Sequence, residues 1–323
     1  MIRFVLAAII LLCNNTAFSQ TMRKRVTTLM GSRFEIIIVG NDTGSAEKNI
    51  DTVIAEITRI ENLISEWKPE TQISEVNSNA GIKPVKVDRE VFELTKRAIN
   101  FSTISQGAFD ISFAAMDKIW RFDDSMTEMP APELVKKSVE KVGYKNIVLD
   151  SINSTIFLKL RGMKIGFGSI GKGYAADRGR QIMQERGVSA GMVNASGDIT
   201  AWGKRPDGSD WSIGVNNPFS ADSLLAVITL KDASVTTSGS YEKFVEFNGR
   251  RYSHIINPKT GYPATGLTSV TVTGPSAETA NGFSTSIMVL GKKKGLQLIN
   301  TYPQYSCIII TDEGKVIKSK KLR

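Results

Sequence analysis

The sequence is short of the residues that most metal and redox chemistry requires. Among 323 residues there is one histidine, His254, and there are two cysteines, Cys13 and Cys307. Protein zinc sites draw their ligands mainly from several Cys and His side chains, so a Cys- or His-rich zinc site is excluded. Any metal has to rest on oxygen atoms, which points to Mg²⁺ or Ca²⁺. Cys13 lies in an apolar N-terminal run and Cys307 in "YSCIIIT". A chain cleaved after that run keeps one thiol and no internal disulfide, and Cys307 reads as a buried, inert cysteine. Beyond the first twenty residues no segment is long and apolar enough to cross a membrane. Internal repeats, low-complexity runs and a clean interdomain linker are also missing. The net charge of +9 comes from 41 Lys+Arg against 32 Asp+Glu, and the two signs are interspersed. The exceptions are "MRKR" at 22–25, "KKK" at 292–294 and the tail "KSKKLR". None is interleaved with aromatics as a base-stacking surface requires, so no nucleic-acid partner is expected. A mild positive potential would still favour a phosphate-bearing substrate.

The opening residues, "MIRFVLAAIILLCNNTAFSQ", have the form of an export signal. Arg3 supplies a positive start, Phe4 to Leu12 an apolar core too short to span a bilayer, and Ala17 and Ser19 the small residues before cleavage at Gln20. Residues 1–19 are therefore expected to be a signal peptide, and 20–323 one exported, periplasmic domain. Lipidation of Cys13 would instead anchor the protein to the periplasmic face of a membrane, but the bulky Leu12 before it disfavours that route.

In the remaining 300 or so residues strands outnumber helices. "FEIIIVG" (34–40) reads as a strand, and Ile50, Val53, Ile54, Ile57, Ile60 and Ile64 recur at helical spacing between Ser45 and Ser65. Asp88 is placed to cap a second helix carrying Val91, Phe92, Thr95 and Ile99, and 123–132 is a polar loop. "NIVLD", "STIFLKL" and "MKIGFG" read as strands. A helix through "GYAADRGRQIMQERG" ends at Gly187. Further strands are "AGMVNAS", "WSIGVN", "LLAVITL", "SVTTS", the pair "EKFVEF" and "RRYSHII" around an Asn248-Gly249 turn, and "TSVTVTG". A helix starts near Ser276, and "YSCIIIT" is the last strand. Many hairpin-linked strands favour an α+β fold with largely antiparallel sheets and packed helices over a doubly wound one. The chain reads as a single compact unit with room for two subdomains.

Few of these segments carry chemistry alone. "GFGSIGKGYAAD" (166–177) contains G-x-G-x-x-G, a weak dinucleotide signal. Its glycines and the helix start after them suit an anion, and Lys172 adds a mobile charge; a tight turn without a ligand is the alternative. The missing Ser/Thr after Lys172 rules out a P-loop. In "SAETANGFSTSIMVLG" (276–291) Asn281 and Thr285 are i, i+4 neighbours whose oxygens could hold a hard cation. A Thr bonded back to its own helix, with a kink beside Gly282, explains them as simply. "GAFDIS", "VNASGD" and "SGSYEKF" are small-residue turns with one polar reach each. Trp67 sits before Pro69, where the first long helix should break. It either caps the core or stacks on a flat ring. His254, on its own, is no more than a hydrogen-bonded hairpin residue.

In their order along the chain, "MGSRFE", "ISEWKPETQISEVN", "GAFDIS", "GFGSIGKGYAAD", "VNASGD", "TSGSYEKF", "YSHIINPKTG" and "TANGFSTSIMVLG" resemble the ApbE-like family, the FAD:protein FMN transferases. The resemblance covers essentially the whole mature chain and implies an ApbE/T-fold-like α+β structure. It implies a Mg²⁺-dependent enzyme that splits FAD, fixes FMN by a phosphoester to a Ser/Thr of an exported acceptor with a Ser/Thr-Gly-Ala-Ser/Thr type segment, and releases AMP. Membrane association would come through that acceptor or a lipid anchor. Metal ligands carry over to Gly171, Asn281 and Thr285. FAD contacts carry over to Met30, Trp67, Ala108, Phe109, Asp110, Gly168, Tyr174, His254 and Ile255, with Lys172 nearby. Three positions depart from the family's pattern: Asn281 replaces an Asp at the metal, Gly166 stands where Asp is frequent, and Asn257 follows "HII" where Asp is common. Lys172 is expected to neutralise phosphate charge, and His254 to act as base or orienter of the acceptor hydroxyl, with Asp110 and Asp198 as rivals. The alternatives are a periplasmic FAD-binding protein and a relative that hydrolyses FAD to FMN and AMP.

Overall fold

A computed structural model of the chain describes residues 20–320, apart from 124, 221–222, 242 and 248. The expected signal peptide, with Cys13, and residue Asn248 of the expected hairpin turn lie outside the described residues. The chain opens with β1 (Thr21–Leu29), β2 (Ser32–Gly40), α1 (Thr43–Ile64), α2 (Gln72–Ser78), β3 (Val85–Lys86) and α3 (Arg89–Ile104). A 3-10 turn (Ile111–Ala115) precedes α4 (Pro132–Ser138), β4 (Ile147–Asp150), β5 (Thr155–Leu158) and α5 (Ile170–Glu185). Then come β6 (Ala190–Ala195), β7 (Asp198–Trp202), β8 (Trp211–Asn216), β9 (Leu224–Leu230) and β10 (Ser234–Gly239). The last elements are β11 (Phe244–Phe247), β12 (Arg250–Ser253), β13 (Leu267–Gly274), α6 (Ala277–Asn300), β14 (Ser306–Thr311) and β15 (Val316–Lys318).

Eight strands form one sheet in the order β1-β2-β6-β7-β10-β13-β14-β15, and its neighbours are antiparallel. Strand β2 is apolar and buried from Ile36 to Val39 because both of its faces are covered there. Ile36 and Ile38 join the cluster that holds α1, α5 and α6, whereas Ile37 and Val39 join a second cluster with Trp211 and Leu230 of the β8–β9 hairpin. Helix α1 buries Ile50, Val53, Ile57, Ile60 and Ile64, the stripe that the sequence spacing requires. The larger cluster continues through α3 to Val85, Ile147 and Ile156 of the three-stranded sheet β3-β5-β4. The largest cluster therefore joins the large sheet, its helices and the three-stranded sheet in a single α+β unit.

Several elements differ from the sequence reading. "MKIGFG" is no strand: Ile165 N–H donates to Asn77 Oδ1 (2.8 Å), Asn77 Nδ2 donates to the Ile165 carbonyl (2.9 Å), and Gly166 N–H donates to the Ile111 carbonyl (3.0 Å). One asparagine side chain thus does what a neighbouring strand would do. The basic run at 22–25 is a solvated face of edge strand β1, where Arg23 and Arg25 also pair with Glu47 of α1. Asp88 occupies the cap position of α3 without a side-chain cap bond; its N–H donates to Gln72 Oε1 at 2.7 Å. The break in α6 falls at Gly291 (φ 75) and not beside Gly282. Strand β15 follows "YSCIIIT", and α2, α4 and β7 are further elements without a clear periodic signal.

Candidate functional site

The site is built where the N-terminal halves of α5 and α6 approach each other. A Cβ at Gly173 would lie 2.7 Å from the Ala277 carbonyl, so only glycine permits this approach. Asp177, one turn further along α5, accepts hydrogen bonds from Ser276 Oγ (2.7 Å) and from the N–H groups of Ala277 and Glu278 (3.0 Å each). A carboxylate on one helix thereby satisfies the free amides at the start of the other, and the two helices are locked in register. Ser169, at the cap of α5, then meets Asn281 and Thr285 of α6.

Three side-chain oxygens converge there. Ser169 Oγ donates to Asn281 Oδ1 at 2.6 Å, lies 3.3 Å from Thr285 Oγ1, and Thr285 Oγ1 is 3.4 Å from Asn281 Oδ1. On the other side of the amide, Asn281 Nδ2 donates to both oxygens of Asp198, at 3.0 and 3.1 Å. Asp198 opens β7 and is buried; burial pushes its carboxyl up to about 6, partly offset by the Asn281 hydrogen bond and the charge of Lys172. Lys172 Nζ donates to the Gly168 carbonyl at 3.3 Å.

These residues wall a cavity of about 390 Å³, completed by Ala108, Phe109, Asp110, Ser238, His254 and Ile255. Asp110 caps the 3-10 turn: its Oδ1 accepts from Ser112 N–H (2.8 Å) and Oγ (2.6 Å), and its Oδ2 from Tyr144 N–H (2.8 Å). Burial nevertheless raises its carboxyl above the ordinary range. His254 Nδ1 lies 3.2 Å from the Lys243 carbonyl. A carbonyl only accepts, so this contact assigns the proton to Nδ1 and makes Nε2 the basic nitrogen.

A second hollow, of about 570 Å³, adjoins the first through Glu66, Phe113, Ala114, His254 and Ile256. Trp67 lines it, 73 % exposed, with Lys118 Nζ 4.2 Å from its ring centroid. The two hollows together form an elongated cleft suited to a ligand larger than either.

The cleft gathers Trp67, Ala108, Phe109, Asp110, Gly168, Lys172, His254, Ile255, Asn281 and Thr285. Three expected site residues lie outside its walls. Tyr174 is buried between α5 and α3, its hydroxyl donating to Glu90 Oε1 at 2.5 Å. Met30 holds a left-handed turn (φ 49), with its N–H donating to Glu61 Oε2 at 3.0 Å. Gly171 is buried in the first turn of α5, where a side chain would press on Ile64 and Phe167. Sequence reasoning missed Ser169, Asp177 and Glu66. Ser169 and Asp177 stood inside the glycine-rich segment, but a cap and a helix-to-helix contact have no linear signature. Glu66 lies beside Gly166, where a Cβ would come within 2.6 Å of its Oε2, and burial raises its carboxyl.

The oxygen triad fits a hard cation. Octahedral Mg²⁺ with oxygens at 2.0–2.1 Å places adjacent ligands about 3 Å apart, and the triad's spacings of 2.6, 3.3 and 3.4 Å bracket that value. No group of three or more His, Cys, Asp or Glu is placed to hold a metal among the described residues; the three oxygens of the triad, from Ser, Asn and Thr, are neutral.

A model of the ApbE family matches residues 30–309. The FAD:protein FMN transferase of Klebsiella pneumoniae is 30% identical over 297 residues, 91% of this chain and 91% of the relative. That of Haemophilus influenzae is 30% identical over 302 residues, 90% and 87% of the two chains. Among solved structures, the ApbE protein of Thermotoga maritima superposes with a TM-score of 0.85 at 29% identity, covering 94% of this chain and 98% of that one. The flavinyl transferase ApbE of Pseudomonas stutzeri does so with a TM-score of 0.83 at 26% identity, covering 95% and 97%.

Proposed function

The chain belongs to the ApbE family, and from that premise we propose that it transfers FMN from FAD to a Ser/Thr hydroxyl of an exported acceptor protein, with Mg²⁺, releasing AMP. The observation that carries this reading is the convergence of Lys172, His254, Asn281 and Thr285, from three separate stretches of sequence, on one cleft. Asn281, Thr285 and Ser169 would hold the cation, with Gly171 nearby in the family's pattern. Bound there, Mg²⁺ would neutralise charge on the diphosphate oxygens. Lys172, now resting on the Gly168 carbonyl, has the reach and charge to meet the same phosphates. His254 Nε2 is suited to orient the acceptor hydroxyl and take its proton as that oxygen attacks phosphorus. The bond formed is oxygen to the FMN phosphorus; the bond broken is the one to AMP, which leaves with the electron pair.

Incubation of the mature protein with FAD, Mg²⁺ and an acceptor bearing a Ser/Thr-Gly-Ala-Ser/Thr segment tests this. Fluorescent flavin bound covalently to the acceptor is the expected result. Free FMN and AMP without labelled acceptor would identify a hydrolase instead, and unchanged FAD a binding protein. His254→Ala is expected to lower labelling by about 10²-fold or more while FAD still binds. Full labelling by that variant would remove His254 from the chemistry.

A further inference from the structure

Resting on the flavin-transfer reading, we propose that Asp198 is a positioning residue that fixes the Asn281 amide with its oxygen toward Ser169 and Thr285, and that the neutral oxygen triad so formed takes up a divalent cation only together with an anionic diphosphate. An isolated Asn side chain presents oxygen or nitrogen with equal ease. Here the choice is made by chemistry on both sides. A carboxylate accepts and does not donate, so the two contacts to Asp198 at 3.0 and 3.1 Å require the amide nitrogen there. The Ser169 hydroxyl, 2.6 Å from the other amide atom, then meets oxygen.

The identities at 198 and 281 are therefore complementary. An Asp at 281 beside Asp198 would set two carboxylates about 3 Å apart, a pair of which one would be driven toward its protonated form until a cation lay beside it. With Asn at 281, the negative charge sits behind the amide and does not touch the cation. The triad contributes three neutral oxygens, and hard divalent cations are strongly hydrated and depend on anionic ligands for affinity. The missing charge has to come from the ligand, and the phosphates of a dinucleotide supply it. Lys172 sharpens this dependence: its ammonium group lies in the same cavity wall and repels a cation that arrives without phosphate.

The test uses the full mature protein, with Mn²⁺ as an oxygen-ligated paramagnetic probe whose free concentration is read by electron paramagnetic resonance. Mn²⁺ is titrated with and without ADP. ADP is expected to tighten Mn²⁺ binding by at least ~10-fold, and Mn²⁺ to tighten ADP binding by the same factor, as linkage requires. Equal Mn²⁺ affinity with and without ADP would overturn the proposal, and this wild-type comparison depends on no variant folding. The charge swap Asp198→Asn with Asn281→Asp keeps the hydrogen bond and the total charge but places the carboxylate on the cation. It is expected to bind Mn²⁺ alone at least ~10-fold more tightly than wild type, with the coupling to ADP correspondingly reduced. A correctly folded swap with wild-type affinity and coupling would remove Asp198 and Asn281 from this role. FAD binding in Mg²⁺, followed by flavin fluorescence, separates the two readings. Failure of FAD to bind overturns the flavin-transfer reading. Binding of FAD with uncoupled Mn²⁺ affinity overturns this inference alone.

Discussion

Glu66 shows how a single residue links burial, pH and the cleft. Its carboxyl is raised above the ordinary value by desolvation, against hydrogen bonds from the backbone of Glu66 and Phe167. A carboxyl whose folded value exceeds its unfolded one costs nothing below the unfolded value, because both states are protonated. The cost appears as pH rises between the two values and is complete above the folded one. Glu66→Gln is therefore expected to raise the melting temperature at pH 8 and to have little effect near pH 4. An equal shift at both pH values in thermal melts would contradict this account. Cys307 is the opposite case, a residue removed from chemistry: burial pushes its thiol up to about 12, so almost no thiolate exists at neutral pH.

At the scale of elements, the α5–α6 crossing decides whether the site exists. Replacing Gly173 by Ala drives a methyl group to 2.7 Å from a backbone carbonyl, which no side-chain rotation can relieve. The expected loss is about 1–3 kcal/mol of stability, and because Ser169 and Asn281 sit on the two helices, FAD affinity should fall with it. Asp177→Ala removes the acceptor for Ser276 and two amides of α6. It should cost about 1–2 kcal/mol in urea unfolding, whereas a loss within error would show that water caps α6 equally well. The hairpin β11–β12 stands apart from the large sheet, in a two-stranded sheet of its own. It delivers His254 to the seam between the two hollows.

At the scale of the whole molecule, one apolar cluster joins the large sheet, its three long helices and the three-stranded sheet. Elements that share a core tend to lose it together. Labelling of Cys307 and tryptophan fluorescence are expected to report the same urea midpoint, with no thiol reaction in the native state. Two separated transitions would show that the elements carrying the tryptophans do not unfold together with the strand that holds Cys307.

Much of the architecture is written in local pattern. The isoleucine stripe of α1, the two-faced apolar run of β2 and the capped start of α6 follow from periodicity and turn chemistry, which act over a few residues. Asn281 and Thr285 were visible as a pair for the same reason, being one helical turn apart. Elements without a periodic signal were not legible: β1 is an exposed, charged edge strand, and 163–168 is held by Asn77 from 88 residues away in sequence. The composition and motif order determined the fold class, the family and ten of the residues that line the cleft. Only the tertiary structure decided that Ser169 completes the oxygen triad, that Asp177 locks α5 to α6, and that Asp198 sets the face Asn281 presents. Each of these depends on contacts between residues distant in sequence, whose geometry exists only once the core has closed.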